Sequence, residues 1–132
     1  MRLLLDSHTF LWFLLRPPTG ERFYELCLDP DNDLYLSAVS YWEIAIKAGL
    51  GKLDLTADWP EVFDREIAVN GIEWLPIAKA HCLELLKLPH PGLVSGHRDP
   101  FDRLLIAQAR AEGLTLLTAD PNFRGYDVAV VW

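Results

Sequence analysis

The chain has 132 residues, the size of one domain of ~100–150 residues. Hydrophobic residues make up 51% and charged residues 23%, which excludes a disordered chain. Asp and Glu number 19 against 12 Lys and Arg, and the net charge of −7 excludes a nucleic-acid clamp built on overall basicity. A phosphate-bearing substrate would need local cations or bound metal ions. Cys27 and Cys82 stand alone in apolar helical patterns, fit no zinc or redox spacing, and read as buried free thiols. The first apolar run meets Asp6, and the next, Phe10 to Leu15, stops at Arg16-Pro17-Pro18. Neither spans a membrane or carries a cleavage site, so a soluble, cytoplasmic protein is expected.

In chain order, Arg2 to Leu5 reads as a short apolar strand and Ser7 to Leu15 as a helix, ended by Pro17, Pro18 and Gly20. Glu21 to Leu28 reads as a helix, Leu34 to Leu36 as a strand, and Tyr41 to Ala48 as a helix stopped by Gly49 and Gly51. Trp59 to Val69 is an amphipathic helix with Pro60 in its first turn. Then come a strand, Ile72 to Leu75, and a helix, Ile77 to Leu88. The stretch Leu88 to Arg98, with two prolines and two glycines, reads as a loop. Pro100 to Ala111 is a helix closed by Gly113, and Leu114 to Leu117 and Val128 to Val131 are strands. Apolar strands alternating with helices predict an α/β domain, a parallel sheet covered on both faces, spanning residues 1–132 as one unit.

Three acids fall where strands give way to helices, and a fourth, Asp102, follows a loop and needs the fold to place it. Asp6 follows the first strand, Glu43 falls in the first turn of the helix after the second, Asp102 in the first turn of Pro100–Ala111, and Asp120 three residues after Leu117. In open parallel sheets, ligand sites form at the carboxyl ends of the strands. Each acid also fits a capping role. Ser40-Tyr41-Trp42-Glu43 has the outline of a capping box, and Asp99-Pro100-Phe101-Asp102 that of an N-cap, a Pro at N1 and an acid at N3. Helical spacing puts Asp102 on one face with Leu105, Ile106 and Ala109, and Glu43 with Ile46, Lys47 and Leu50. Both acids are therefore expected to head core-facing stripes. Four carboxylates at one edge repel, and a cation offsets that repulsion. Oxygen donors without paired Cys or His suit Mg²⁺ or Mn²⁺, and the implied chemistry is metal-assisted attack of water on a phosphodiester.

Ser7 and Thr118 are placed to hydrogen-bond an acid or simply to shape turns. His8, His97, Arg98 and Arg103 lie near the acids, and either arginine would suit an RNA phosphate or plain solvent. Asn122 reads as a turn residue, and His81 and His90 carry no functional signal. The helix from Ser7 is apolar all round, so it is buried on several sides, one of which would suit a partner.

The segments Leu3-Leu4-Leu5-Asp6-Ser7-His8, Ser37-Ala38-Val39-Ser40-Tyr41-Trp42-Glu43, Arg98-Asp99-Pro100-Phe101-Asp102 through Ala107, and Leu117-Thr118-Ala119-Asp120-Pro121-Asn122-Phe123 resemble, in order, the PIN-domain family. Within it they are similar to the VapC-type toxins of toxin–antitoxin pairs. The resemblance covers the whole chain. It implies a three-layer sandwich around a five-stranded parallel sheet of order 3-2-1-4-5. It implies an endoribonuclease that cuts single-stranded RNA with Mg²⁺ or Mn²⁺, with Asp6, Glu43, Asp102 and Asp120 at the family's four acidic positions. It also implies neutralisation by a cognate antitoxin, VapB-like or another small DNA-binding protein. An apolar helix next to a strongly anionic site predicts that the antitoxin's C-terminal segment lays apolar side chains against the helix carrying Trp12 and Phe13. A homodimer is expected.

Other classes fit less well. A phosphoaspartyl phosphatase would want an Asp at position 8, which is His8. A phosphoacceptor signalling domain would want paired acids after the first strand and a Lys near the last, and Val128–Trp132 has none. A DNA flap nuclease would need more acids and extra helices. A catalytically silent PIN-like module that only binds partners would be the alternative with the same fold.

Overall fold

In the computed structural model, which describes residues 1–90 and 98–132, five parallel strands form one sheet in the order β3-β2-β1-β4-β5. The strands are β1 (Arg2–Leu5), β2 (Asp33–Ser37), β3 (Glu73–Leu75), β4 (Thr115–Leu117) and β5 (Val130–Val131). The helices are α1 (Ser7–Leu15), α2 (Arg22–Leu28), α3 (Ala38–Gly49), α4 (Trp59–Val69), α5 (Lys79–Leu85) and α6 (Pro100–Glu112), with a 3₁₀ turn over Pro121–Gly125. This is the expected topology. His97 and most of the expected loop Leu88–Arg98 lie outside the described residues.

Two apolar clusters flank the sheet, as strands buried on both faces require. One joins Leu3 and Leu5 to Phe10, Phe13 and Phe23 of α1 and α2, Ile44 of α3 and Phe63 of α4. The other joins Leu4 and Leu116 to Leu105, Ile106 and Ala109 of α6 and to Phe123. Strand side chains alternate between faces, so Leu3 and Leu5 serve one cluster and Leu4 the other. α6 is capped at both ends: Asp99 accepts a hydrogen bond from Asp102 N at 3.0 Å, and Gly113 at φ 66° closes the helix. A residue with a Cβ would be strained at that φ.

Several expectations are corrected. α3 begins at Ala38, because the Ser37 hydroxyl accepts the Val39 N–H and caps the helix as β2 ends. Ser40 is therefore inside the helix, and Glu43 is its sixth residue, not part of a capping box. The core-facing row of α3 is Val39, Ser40, Glu43 and Ile44, while Ile46 and Leu50 are exposed beside Trp42. β3 is an exposed edge strand with Glu73 and Trp74 open to solvent, not a fully buried one. Cys27 is buried, but Cys82 is exposed. No helix among the described residues is long and apolar enough to cross a membrane.

Candidate active site

The register of the sheet builds the site. Leu5 of β1 is level with Leu36 of β2 and Leu117 of β4. One step further, the three chains present Asp6, Ser37 and Thr118 side by side, each at most 5% exposed. Three apolar strands thus end together on a buried polar shelf. Buried polar groups need partners, and here they find one another.

Asp6 caps α1. Its Oδ1 accepts from Thr9 N at 2.8 Å, and its Oδ2 accepts from the Thr118 hydroxyl. The Thr118 hydroxyl in turn accepts from Asp120 N at 3.1 Å. On the other side, the Ser7 hydroxyl donates to Glu43 Oε1, and Lys47 Nζ stands 3.3 Å from Glu43 Oε2. A continuous path therefore runs from Asp120 through Thr118 to Asp6 and, across the Asp6–Ser7 peptide, to Glu43. Asp6 has no ion-pair partner among the described residues. Asp120 caps the 3₁₀ turn, accepting from Asn122 N at 2.9 Å, so Asn122 shapes that turn as expected. Asp6 and Asp120 also line one cavity of about 280 Å³, with His8, Trp12, Ala119 and Pro121.

Asp102 sits in the first turn of α6, which packs against α3. Trp42 and Phe101, the neighbours of Glu43 and Asp102, meet edge to face with ring centroids 5.0 Å apart. Leu105, Ile106 and Ala109, on the face of α6 that Asp102 heads, are all buried as their spacing predicts. Arg103 donates through one guanidinium nitrogen to Pro89 O at 3.1 Å and to the Tyr126 hydroxyl at 3.0 Å. Arg98 is exposed.

The four acids thus come from β1, α3, α6 and the turn after β4, and among the described residues no three His, Cys, Asp or Glu side chains converge on one point. The donor set fits a hard divalent cation in chemistry: oxygen only, anionic, and two of its carboxylates buried. Their present partners explain why they stand apart. Glu43 is turned toward Ser7 and Lys47 and Asp120 toward Asn122 N, and two carboxylates at 4 Å repel by about 4 kcal/mol at an effective dielectric of 20.

Reading residues one at a time missed a second buried network. Gln108 on α6 is fully buried; its Oε1 accepts from the Ser37 hydroxyl and its Nε2 donates to Pro76 O at 3.2 Å. His81 Nδ1 accepts from Ala78 N at 2.9 Å, so the ring proton is on Nε2, which lies 2.7 Å from Glu112 Oε1. These bonds tie α5 and α6 to the start of α3. Gln108 falls within the buried row of α6, which was the signal available for it.

A parallel α/β domain with acids at the carboxyl edge of its sheet, at the ends of β1 and β4 and on α3 and α6, has the site placement typical of open parallel α/β folds. Residues 3–129 match the family model described as PIN domain, and the chain belongs to that family. It is 27% identical to Ribonuclease VapC22 of Mycobacterium tuberculosis over 126 residues, covering 93% of this chain and 90% of that protein. Its fold is similar to a chain of VapBC2 from Rickettsia felis, solved bound to a DNA fragment from their promoter: the TM-score is 0.78 at 16% identity, over 99% of this chain and 98% of that one. It is also similar to a chain of FitAcB from Neisseria gonorrhoeae, with a TM-score of 0.66 at 24% identity, over 98% and 96%.

Proposed function

We propose that this chain is a single-domain VapC-type toxin, residues 1–132, that hydrolyses single-stranded RNA with Mg²⁺ or Mn²⁺. The observation that supports this most is the hydrogen-bonded path Asp120–Thr118–Asp6–Ser7–Glu43 along the carboxyl edge of the sheet. The similarity to a ribonuclease over nine-tenths of both chains supports it further.

Asp6, Glu43, Asp102 and Asp120 are the residues that would hold the cation. A divalent ion there supplies a bound water of lowered pKa and positive charge for the phosphodiester oxygens. The remaining work falls to the chain. Thr118 fixes the rotamer of Asp6 through Oδ2, leaving each carboxylate oxygen with a further lone pair. Ser7 aims Glu43 Oε1, and Lys47 offsets the cost of burying that carboxylate. A carboxylate with lone pairs directed at the edge would orient a water and accept its proton as the new phosphorus–oxygen bond forms and the bond to the leaving ribose oxygen breaks, that oxygen taking up a proton from solvent.

The partner is a cognate antitoxin, as the names of the structural neighbours suggest for their own chains. Its expected contact with Phe13 is withdrawn, because Phe13 is 5% exposed and packs on Tyr24 at 5.3 Å. Trp12 alone of that pair reaches the surface. An exposed apolar row on α3, Trp42, Ile46 and Leu50, supports a homodimer. The protein is placed in the cytoplasm, where RNA is at hand. A short neighbouring reading frame encoding a small DNA-binding protein would strengthen the assignment.

A catalytically silent partner-binding module of the same fold is the second reading. One experiment separates the two. Purified, antitoxin-free chain is incubated with labelled single-stranded RNA in EDTA and then with added Mg²⁺ or Mn²⁺. Cleavage restored by metal and lost in Asp6→Asn supports the nuclease. No metal binding by calorimetry, together with undiminished toxicity of Asp6→Asn in the host, refutes it.

A further inference from the structure

α1 carries a row that the acids do not use. His8 and Trp12 lie four residues apart on one face of α1, about 6 Å along it, and Arg16, the extended residue just past its C-terminus, follows them. The contacts bear this out. The His8 and Trp12 rings are 6.2 Å apart, and the Arg16 guanidinium lies 4.4 Å from the centre of the Trp12 ring. The row begins two residues after Asp6. Its first two members line the cavity of about 280 Å³ that Asp6 and Asp120 also line, with Pro121 and Ala119 completing the wall. This is small for a ligand pocket, which more often encloses ~300–1,000 Å³, and it suits one flat ring better than a drug-sized molecule.

The charge balance bears on what such a row can bind. With a net charge of −7 and four acids at this edge, a nucleic-acid strand cannot be held here by a basic groove. Stacking on aromatic side chains needs no net charge and tolerates any base. Core packing accounts for one side of Trp12, which meets Phe23 and Trp132 at 6.2 and 5.6 Å. It does not account for His8, which is exposed, nor for the cavity. Arg16 has a weak exposed ion pair with Glu21 at 3.9 Å, which a phosphate can replace.

We infer that the His8–Trp12–Arg16 row is the subsite for the nucleotide flanking the scissile phosphodiester of a single-stranded RNA. The base enters the cavity and stacks on Trp12 against His8, and Arg16 meets a phosphate further along the strand. The inference rests on the nuclease reading for the identity of the ligand, but its test reads binding and not cleavage.

The test is fluorescence anisotropy of a fluorescein-labelled decauridylate with the full chain in EDTA, where cutting is absent. A set of oligomers carries one abasic nucleotide at successive positions. One position is expected to raise Kd about ten-fold, in line with the loss of one stacked base. His8→Ala and Trp12→Leu are expected to weaken binding of the intact oligomer and to shrink that abasic penalty below about two-fold, while Trp12→Phe keeps most of it. If Trp12→Leu does not fold, the abasic scan on the unaltered chain and His8→Ala still decide. Equal Kd values across the abasic set, or unchanged RNA binding by His8→Ala and Arg16→Gln, would overturn the subsite. Protection of His8 by a protein partner alone, with RNA binding indifferent to the row, would also overturn it and make the row a protein-docking face. A chain that binds in the expected pattern yet never cuts RNA with metal would support the subsite and defeat the nuclease reading.

Discussion

Asp99 and Asp102 lie three residues apart at the start of α6, and their hydrogen bonds divide their duties. Asp99 Oδ1 accepts the Asp102 N–H at 3.0 Å, in the geometry of an N-cap, with Pro100 at the first helical position. Removing that acceptor in Asp99→Ala should cost about 1 kcal/mol. In a domain of this size, such a loss lowers the melting temperature by about 4 °C. Asn caps as well as Asp, so Asp99→Asn should lie within a few tenths of a kcal/mol of the parent and keep its activity. Asp102→Asn should behave in the opposite way. It forfeits about 0.3–1 kcal/mol of favourable interaction with the helix dipole and removes one negative charge from a chain of net charge −7. Its stability without metal should therefore change by less than about 1 kcal/mol, while RNA cleavage is lost. Thermal melting in EDTA and cleavage in Mn²⁺, measured on the three variants side by side, give the answer. An active Asp102→Asn beside a folded but inactive Asp99→Asn would refute the reasoning.

Thr118→Val removes the hydroxyl that holds Asp6 Oδ2 and should lower cleavage at least ten-fold while the chain stays folded; Thr118→Ser should restore most of it, and a Val variant as active as the parent would show that Asp6 needs no such support. Gln108→Leu strands the buried Ser37 hydroxyl and Pro76 carbonyl, so urea unfolding should report a loss of about 2–3 kcal/mol. A maleimide at pH 8 should label Cys82 quickly and Cys27 only on unfolding, because burial pushes the Cys27 thiol up to about 12; mass spectrometry of the labelled peptides checks it. The Glu84 carboxyl is held below its ordinary value of 4.5 by hydrogen bonds from Lys87 and then Arg110. A depressed folded-state pKa stabilises the fold above the ordinary value and ceases to do so as pH falls through and below it. The stability difference between the parent and Glu84→Gln should accordingly shrink on acidification below about 4.5; a difference that persists at low pH would show that the carboxylate charge is not its source.

The elements were legible in the sequence because each rests on local chemistry. β1 is an unbroken apolar run, and α4 spans Trp59–Val69 as its amphipathic spacing predicts. Asp99-Pro100 opens α6 and Gly113 closes it for reasons that involve no distant residue. Asp6 and Asp120, just past the ends of β1 and β4, were legible as carboxylates at the sheet's edge, since short apolar strands followed by carboxylates are a local pattern. What the sequence could not decide depends on groups far apart in the chain. Ser37 and Ser40 are chemically equal candidates to cap α3, and the choice fell to Ser37 where β2 ends against its neighbours. Glu43 then moved into the second turn, beside Ser7, 36 residues away. The bond from Thr118 to Asp6 spans 112 residues, and its two partners meet only because Leu117 is level with Leu5 in the sheet. Phe13, expected beside Trp12 at a partner contact, lies in the core, because α2 covers it through Tyr24. Residue type sets which side chains can ligate, cap or stack; the register of the strands and the packing of helices on them decide which of these meet, since burial and hydrogen-bond satisfaction are settled over the whole domain.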